Sequence, residues 1–256
     1  MRRLIFIFSL LSIFLAPVRA EIPLLLQEAV KNLAMDGARW AYTERAIQKD
    51  DKGKTKSETL MRFDPSKPYA EQYTPLKIDG KAPTDSQLRK YRRRGEKRGE
   101  TLERAEREGV SPSRKTLGEL MDLDRVTVAE ENAQTITYEV PLKKEGNDRL
   151  PPEKFRVLAR VSKELHAFEN VSATLRAPLR EKLVVKVSEG EGHIEFKTVD
   201  PKHPPQMTAV RGSGSGSILF VPIGRSYEMT REDFKRVKPY GDRFDVQIGT
   251  IKALDF

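Results

Sequence analysis

The sequence predicts an α+β protein: an antiparallel sheet of about ten short strands whose single apolar face is covered by helices. Three observations predict it. Apolar and polar residues alternate at period two through much of the chain, two stretches keep a helical period instead, and turn-forming clusters separate the alternating runs.

The opening segment, MRRLIFIFSLLSIFLAPVRA, places two arginines ahead of an apolar run from Leu4 to Leu15 and ends in Val18-Arg19-Ala20. That is the layout of a secretory signal peptide cleaved before Glu21, and the run is too short for a membrane span, which needs ~20 residues. The expected organisation is therefore a signal peptide at 1–20 and one domain at 21–256, exported to the periplasm. No later apolar stretch approaches spanning length, so the mature chain is not expected to be an integral membrane protein.

A first helix is expected from about Pro23 to Asp36. Proline suits its first turn, Leu26, Ala29, Val30 and Leu33 form one stripe, and Gly37 is a natural stop. Trp40 and Tyr42 follow, two residues apart on one strand, and Asp50-Asp51-Lys52-Gly53 reads as a turn.

The second helix is the basic segment near residues 84–107. Thr84 and Gln87 have the spacing of a capping box, and Pro83 precedes them. Leu88, Tyr91, Gly95, Gly99, Leu102 and Glu106 fall on one stripe, with Arg89, Lys90, Arg93, Arg94 and Lys97 on the other side. The two glycines either break the helix or let its backbone approach a neighbour closely, since each costs about 1 kcal/mol against alanine in a helix interior. The run reads first as a solvated face, and Arg89, Arg93, Arg94 and Lys97 are its candidate anion-binding residues.

Strands are expected around Ile136, Tyr138 and Val140; Phe155, Val157, Ala159 and Val161; Leu183, Val185 and Val187; Ile194 and Phe196; and Phe244, Val246 and Ile248. Glu189-Gly190-Glu191-Gly192, Pro201 to Pro205 and Tyr240-Gly241-Asp242 read as the turns between them. Arg211 to Ser217, RGSGSGS, fits neither the dinucleotide nor the phosphate-loop pattern and reads as a small-residue strand or hairpin.

Composition removes several function classes. Cysteine is absent, which excludes disulfides, thiolate metal sites, a cysteine nucleophile and lipid attachment to an N-terminal cysteine. The net charge of +9 is confined: Arg2, Arg3 and Arg19 lie in the signal segment, and residues 84–107 hold nine basic and five acidic side chains. A nucleic-acid coat would spread its basicity over a binding face, so nucleic acid is not an expected partner. The three histidines, His166, His193 and His203, show no metal-ligand spacing, and no catalytic residue, metal or cofactor is expected.

The signal peptide, the short amphipathic helix, the strand hairpin, then Met61-Arg62-Phe63-Asp64-Pro65 and Leu76-Lys77-Ile78-Asp79-Gly80-Lys81 resemble the LolA-like family of outer-membrane lipoprotein carriers. Phe63 and Asp64 stand between Arg62 and Pro65 where that family has the pair adjacent. The resemblance implies a strongly curved, unclosed half-barrel whose concave face holds an acyl chain under helical lids, with Arg62 contacting the lid. On that reading the partner is a lipid or a lipoprotein acyl chain, and Trp40, Tyr42, Phe155, Val157, Leu183, Val185, Ile194 and Phe196 are the candidate ligand-binding residues. The alternative is an envelope interaction protein whose basic helix meets anionic lipid headgroups, lipopolysaccharide or an acidic protein. An outer-membrane barrel ending at Phe256 and a hydrolase are the remaining rivals.

Overall fold

The computed structural model describes residues 22–36, 39–109, 117–144, 151–181, 185–218 and 221–243. The expected signal peptide, Gly37, Leu183 and the strand around Phe244, Val246 and Ile248 lie outside them.

The described chain forms helix α1 (Leu24–Asp36), strands β1 (Trp40–Asp50), β2 (Thr55–Phe63) and β3 (Tyr73–Ile78), helix α2 (Asp85–Glu108) and a short α3 (Leu117–Leu120). Eight more strands follow: β4 (Thr127–Glu131), β5 (Thr135–Glu139), β6 (Phe155–Ser162), β7 (Ala167–Leu175), β8 (Leu179–Glu181), β9 (Val185–Lys197), β10 (Gln206–Ile218) and β11 (Val221–Arg236). All pair in one antiparallel sheet, ordered β3-β2-β1-β11-β10-β9-β7-β6-β5-β4, with β8 beside β9. The edges β3 and β4 do not pair, so the sheet is not closed. Its centre joins the first strand to the last described one, Trp40 opposite Arg236 and Asp50 opposite Arg225.

One face of this sheet is apolar because successive strands keep the alternation in register. Ala46, Met229, Val210, Ile194, Val171, Ala159 and Tyr138 form one cross-strand row. α1 lies on that face over β6 and β7. Leu26 and Ala29 are fully buried there against Tyr138, Val157, Val161 and Phe168. At ~25 cal/mol per Å² of apolar surface removed from water, this contact supplies what a 13-residue helix cannot from its own hydrogen bonds.

α2 begins at the expected capping box: Gln87 donates its backbone N–H to Thr84 Oγ1, and Thr84 donates its own to Gln87 Oε1. It ends at Gly109 in the left-handed conformation, φ 62°. The two interior glycines do not break it. Both are buried, and a Cβ on Gly95 would overlap the carbonyl oxygen of Tyr69 while one on Gly99 would overlap the Tyr69 ring. The helix backbone therefore sits directly on the 3-10 turn Tyr69–Glu71 that leads into β3. Arg98 pins the seat by donating to Gln72 Oε1 at 2.5 Å, and fully buried Gln72 in turn donates to the carbonyl of Lys67 at 3.0 Å.

One expected turn is corrected. Glu189 to Gly192 runs straight through β9, with Gly192 opposite Gly212 and Gly190 opposite Gly214. Glycine alternating with glutamate is itself a period-two pattern. The glutamates lie on the other face, where Glu191 accepts from the Ser213 hydroxyl and Glu189 from Ser215. RGSGSGS is the matching stretch of β10, as the small-residue strand reading expects.

The glycine seat makes a test. Alanine at Gly95 gains about 1 kcal/mol of helix propensity but overpacks a backbone contact, which costs ~1–3 kcal/mol. Gly95→Ala is expected to lose stability in urea unfolding while the exposed Glu96→Ala does not. A Gly95→Ala protein more stable than the parent would mean that the helix is not seated on Tyr69.

Candidate functional site

The apolar face is covered at both ends but not across its middle. α1 lies over β6 and β7, and α2 lies against β3 and the Tyr69–Glu71 turn. Between α1 and the central strands the structure leaves a cleft of about 220 Å³, lined by Asn32 and Leu33 of α1, Trp40 and Tyr42 of β1, Ile194 and Phe196 of β9, Met207 of β10, and Arg231 and Phe234 of β11. It is smaller than the ~300–1,000 Å³ of typical ligand sites, a size suited to a slender chain rather than a bulky ring system.

A fault in the alternation builds the cleft. Counting back from β11's end, Arg236 and Phe234 face Trp40, whereas Arg231 faces Tyr42; the parity changes between them. The ladder with β1 slips at that point, from Ala41 opposite Lys235 to Thr43 opposite Glu232, so β11 carries an extra residue. Asp233 takes it up with φ 54°, a left-handed conformation uncommon for a residue other than glycine. The bulge is held from β2: Arg62 reaches across β1, donating to the Asp233 carbonyl at 2.9 Å and to Thr43 Oγ1 at 3.2 Å. Its result is that Phe234 joins the aromatic wall, 6.3 Å from Trp40 and 5.8 Å from Tyr42 between ring centroids.

The wall continues as a row of rings, Tyr42 to Phe63 at 5.2 Å and Phe63 to Tyr73 at 5.0 Å. Each ring lies under an arginine: Arg231 is 4.3 Å from the Tyr42 centroid, Arg98 is 5.3 Å from that of Phe63, and Arg94 is 4.3 Å from that of Tyr73. Arg231 also pairs with Glu44 at 3.0 Å, with side chains only 19% and 12% exposed, so this ion pair at the cleft is largely withdrawn from water. Burial pushes the Tyr42 hydroxyl up to about 12, with Arg231 pulling the other way.

Of the eight expected ligand-binding residues the structure brings four together: Trp40, Tyr42, Ile194 and Phe196. Phe155 and Val157 lie elsewhere, on a larger cavity of about 680 Å³ whose other walls include Glu139, Lys143 and Arg176. Val157 also belongs to the buried core. Leu183 and the side chain of Val185 lie outside what is described. Sequence reasoning does not assign Met207, Arg231 or Phe234 to the site; Leu33 is on the expected helical stripe. Of the expected anion residues, Arg93, Arg94 and Lys97 share one side of α2 with Lys90, and Arg89 does not join them.

The histidines stay apart. His166 meets Glu28 at 2.6 Å in the β6–β7 turn, His193 lies near Glu191 on β9, and His203 stands edge-on to Trp40 at 5.7 Å. Among the described residues no group of three or more His, Asp or Glu is placed to hold a metal, and no helix is long and apolar enough to cross a membrane.

No family model matches the chain, and no curated protein matches it. Among solved structures it is distantly similar to a LolA superfamily protein from Nitrosomonas europaea, at 9% identity and a TM-score of 0.36, over 87% of this chain and 96% of that one.

The position of Tyr42 has a pH consequence. It titrates near 12 in the folded chain against 10.0 as a free side chain, so the stability tied to its neutral form is whole below pH 10 and is lost as pH rises through 12. Between those limits the parent is expected to lose ~2 kcal/mol more unfolding free energy than Tyr42→Phe, at about 1.4 kcal/mol per unit. Coincident pH profiles for the two proteins would show that Tyr42 is not buried.

Proposed function

We propose that this is an exported, non-enzymatic periplasmic protein, a single domain from residue 21 onward, that binds an acyl chain between α1 and the central strands of its sheet. One observation carries the reading: an apolar slot, walled by Leu33, Trp40, Ile194, Phe196, Met207 and Phe234, that the side chains of the described residues do not fill. A fold that needed those residues only as core would close the gap, because interiors pack to crystal density. Binding by apolar burial needs no polar motif, in keeping with the absence of any recognisable catalytic signature in the sequence. The signal-like segment from Met1 to Ala20 supports export. The resemblance of Met61 to Pro65 and Leu76 to Lys81 to lipoprotein carriers supports an acyl chain as the ligand, with lipoprotein sorting as the setting.

Trp40 is the only tryptophan in the chain, is 3% exposed and forms part of the wall, so its emission reports on the slot directly. Titration with dodecanoate is expected to shift Trp40 emission saturably, and Ile194→Phe, which fills the slot, to weaken the response about tenfold. Native mass spectrometry of protein recovered from the periplasm is expected to show a chain beginning at Glu21 with a lipid adduct. Emission indifferent to dodecanoate, together with a clean apo mass, would end the proposal.

A further inference from the structure

The acyl-chain reading leaves the charge of α2 unexplained. Residues 85–98 carry seven basic and two acidic side chains. Lys90, Arg93, Arg94 and Lys97 stand at spacings of three and four from one another, which places like charges side by side on one face. The second half of the same helix does the opposite, setting Glu100 four before Arg104 and Glu103 four before Arg107. Among the described residues none of Lys90, Arg93, Arg94 or Lys97 meets a carboxylate within 4.0 Å, whereas Arg231 has Glu44. A helix that needed only a wet face would gain from interleaved acids in its first half too.

These four cations border a depression of about 530 Å³ together with Tyr91. One of them touches the row of rings that leads to the acyl slot. Arg94 lies over Tyr73, whose ring packs on Phe63 and through it on Tyr42, a lining residue of the slot. Tyr73, Phe63 and Tyr42 sit on adjacent strands, so the cationic face begins about two strand spacings, ~10 Å, from the slot. Along this row Arg98 and Arg231 are engaged by Gln72 and Glu44, and Arg94 is the cation left for an outside anion.

We propose that the ligand is an anionic amphiphile: its acyl chain occupies the slot beside Trp40 and its phosphate-bearing head lies on the α2 face formed by Lys90, Arg93, Arg94 and Lys97. Chain and head are then recognised separately, the first by apolar burial and the second by charge-assisted hydrogen bonds from guanidinium and ammonium groups. The inference rests on the acyl-chain reading above and adds the class of head group to it.

Calorimetry on the whole protein with two probes of equal chain length, lysophosphatidylglycerol and uncharged monoacylglycerol below their micelle concentrations, tests the two parts independently. The anionic lipid is expected to bind about tenfold more tightly at low salt, a preference that fades at ~0.5 M salt. The triple variant Lys90→Gln, Arg93→Gln, Lys97→Gln removes only exposed side chains; it is expected to abolish the preference and leave monoacylglycerol binding unchanged. Equal affinity of the parent for both lipids, or a preference that survives in the variant, overturns the head site while the acyl slot stands. Glycerol 3-phosphate binding as tightly as the lipid overturns it in favour of a free-phosphate site. Failure of both lipids to bind overturns the acyl reading as well.

Discussion

A single arginine side chain crossing one strand sets the shape of the candidate site. Arg62 leaves β2, passes β1 and donates to the carbonyl of Asp233 in β11, holding that residue in the left-handed conformation of a bulge. Regular alternation would put either Phe234 and Arg236 or Arg231 and Met229 on the apolar side, but not both sets. With one residue absorbed at the bulge, both sets face the same way. The aromatic wall, the Arg231–Glu44 pair and the slot between α1 and the sheet all follow from that inversion.

The fold is largely legible in the sequence because it rests on two periodicities and a few stop signals. The stripe of Leu26, Ala29, Val30 and Leu33 announces α1, and Thr84 with Gln87 announces the start of α2 to the residue. The alternation of Val157, Ala159 and Val161 announces the buried side of β6. Glycine is where the reading divides. At Gly95 and Gly99 close approach is one of two options open to the sequence, and the contact with Tyr69 realises it. At Gly190 and Gly192 composition suggests a turn, yet the partner that makes those residues a strand is a second glycine-rich segment, Gly212 and Gly214 on β10. Local composition carries no information about such a partner.

The site is legible only in part, for a related reason. Trp40, Tyr42, Ile194 and Phe196 are accessible as large apolar residues on alternating strands. Phe234 is not, because nothing in Glu232-Asp233 marks an extra residue until β1 is laid beside it. Family resemblance singles out Arg62 as a residue touching a helical lid, and its hydrogen bonds run instead to Thr43 and Asp233 within the sheet. The arginine that ties α2 to the body of the protein is Arg98, on the helix itself. Phe155 and Val157 satisfy the same alternation rule as the slot residues but face the other cavity and the core. Periodicity names a face of a sheet; it does not say which part of that face the helices leave open.

The pairing of β1 with β11 has a consequence for how the chain comes together. Strands β1 to β3 share no ladder with β4 to β10 except through β11, the last strand to be synthesised among those described. Until it docks, the N-terminal three-stranded piece offers β1 as an open edge and the remaining sheet offers β10, each a ready template for a foreign strand. Lengthening the loop between them costs little at equilibrium, since closure entropy grows only as the logarithm of loop length, but such distant pairings form slowly. The molecule therefore has an interval in its biogenesis, bounded by the arrival of β11, when two unpaired edges must be kept from meeting anything but each other's missing partner.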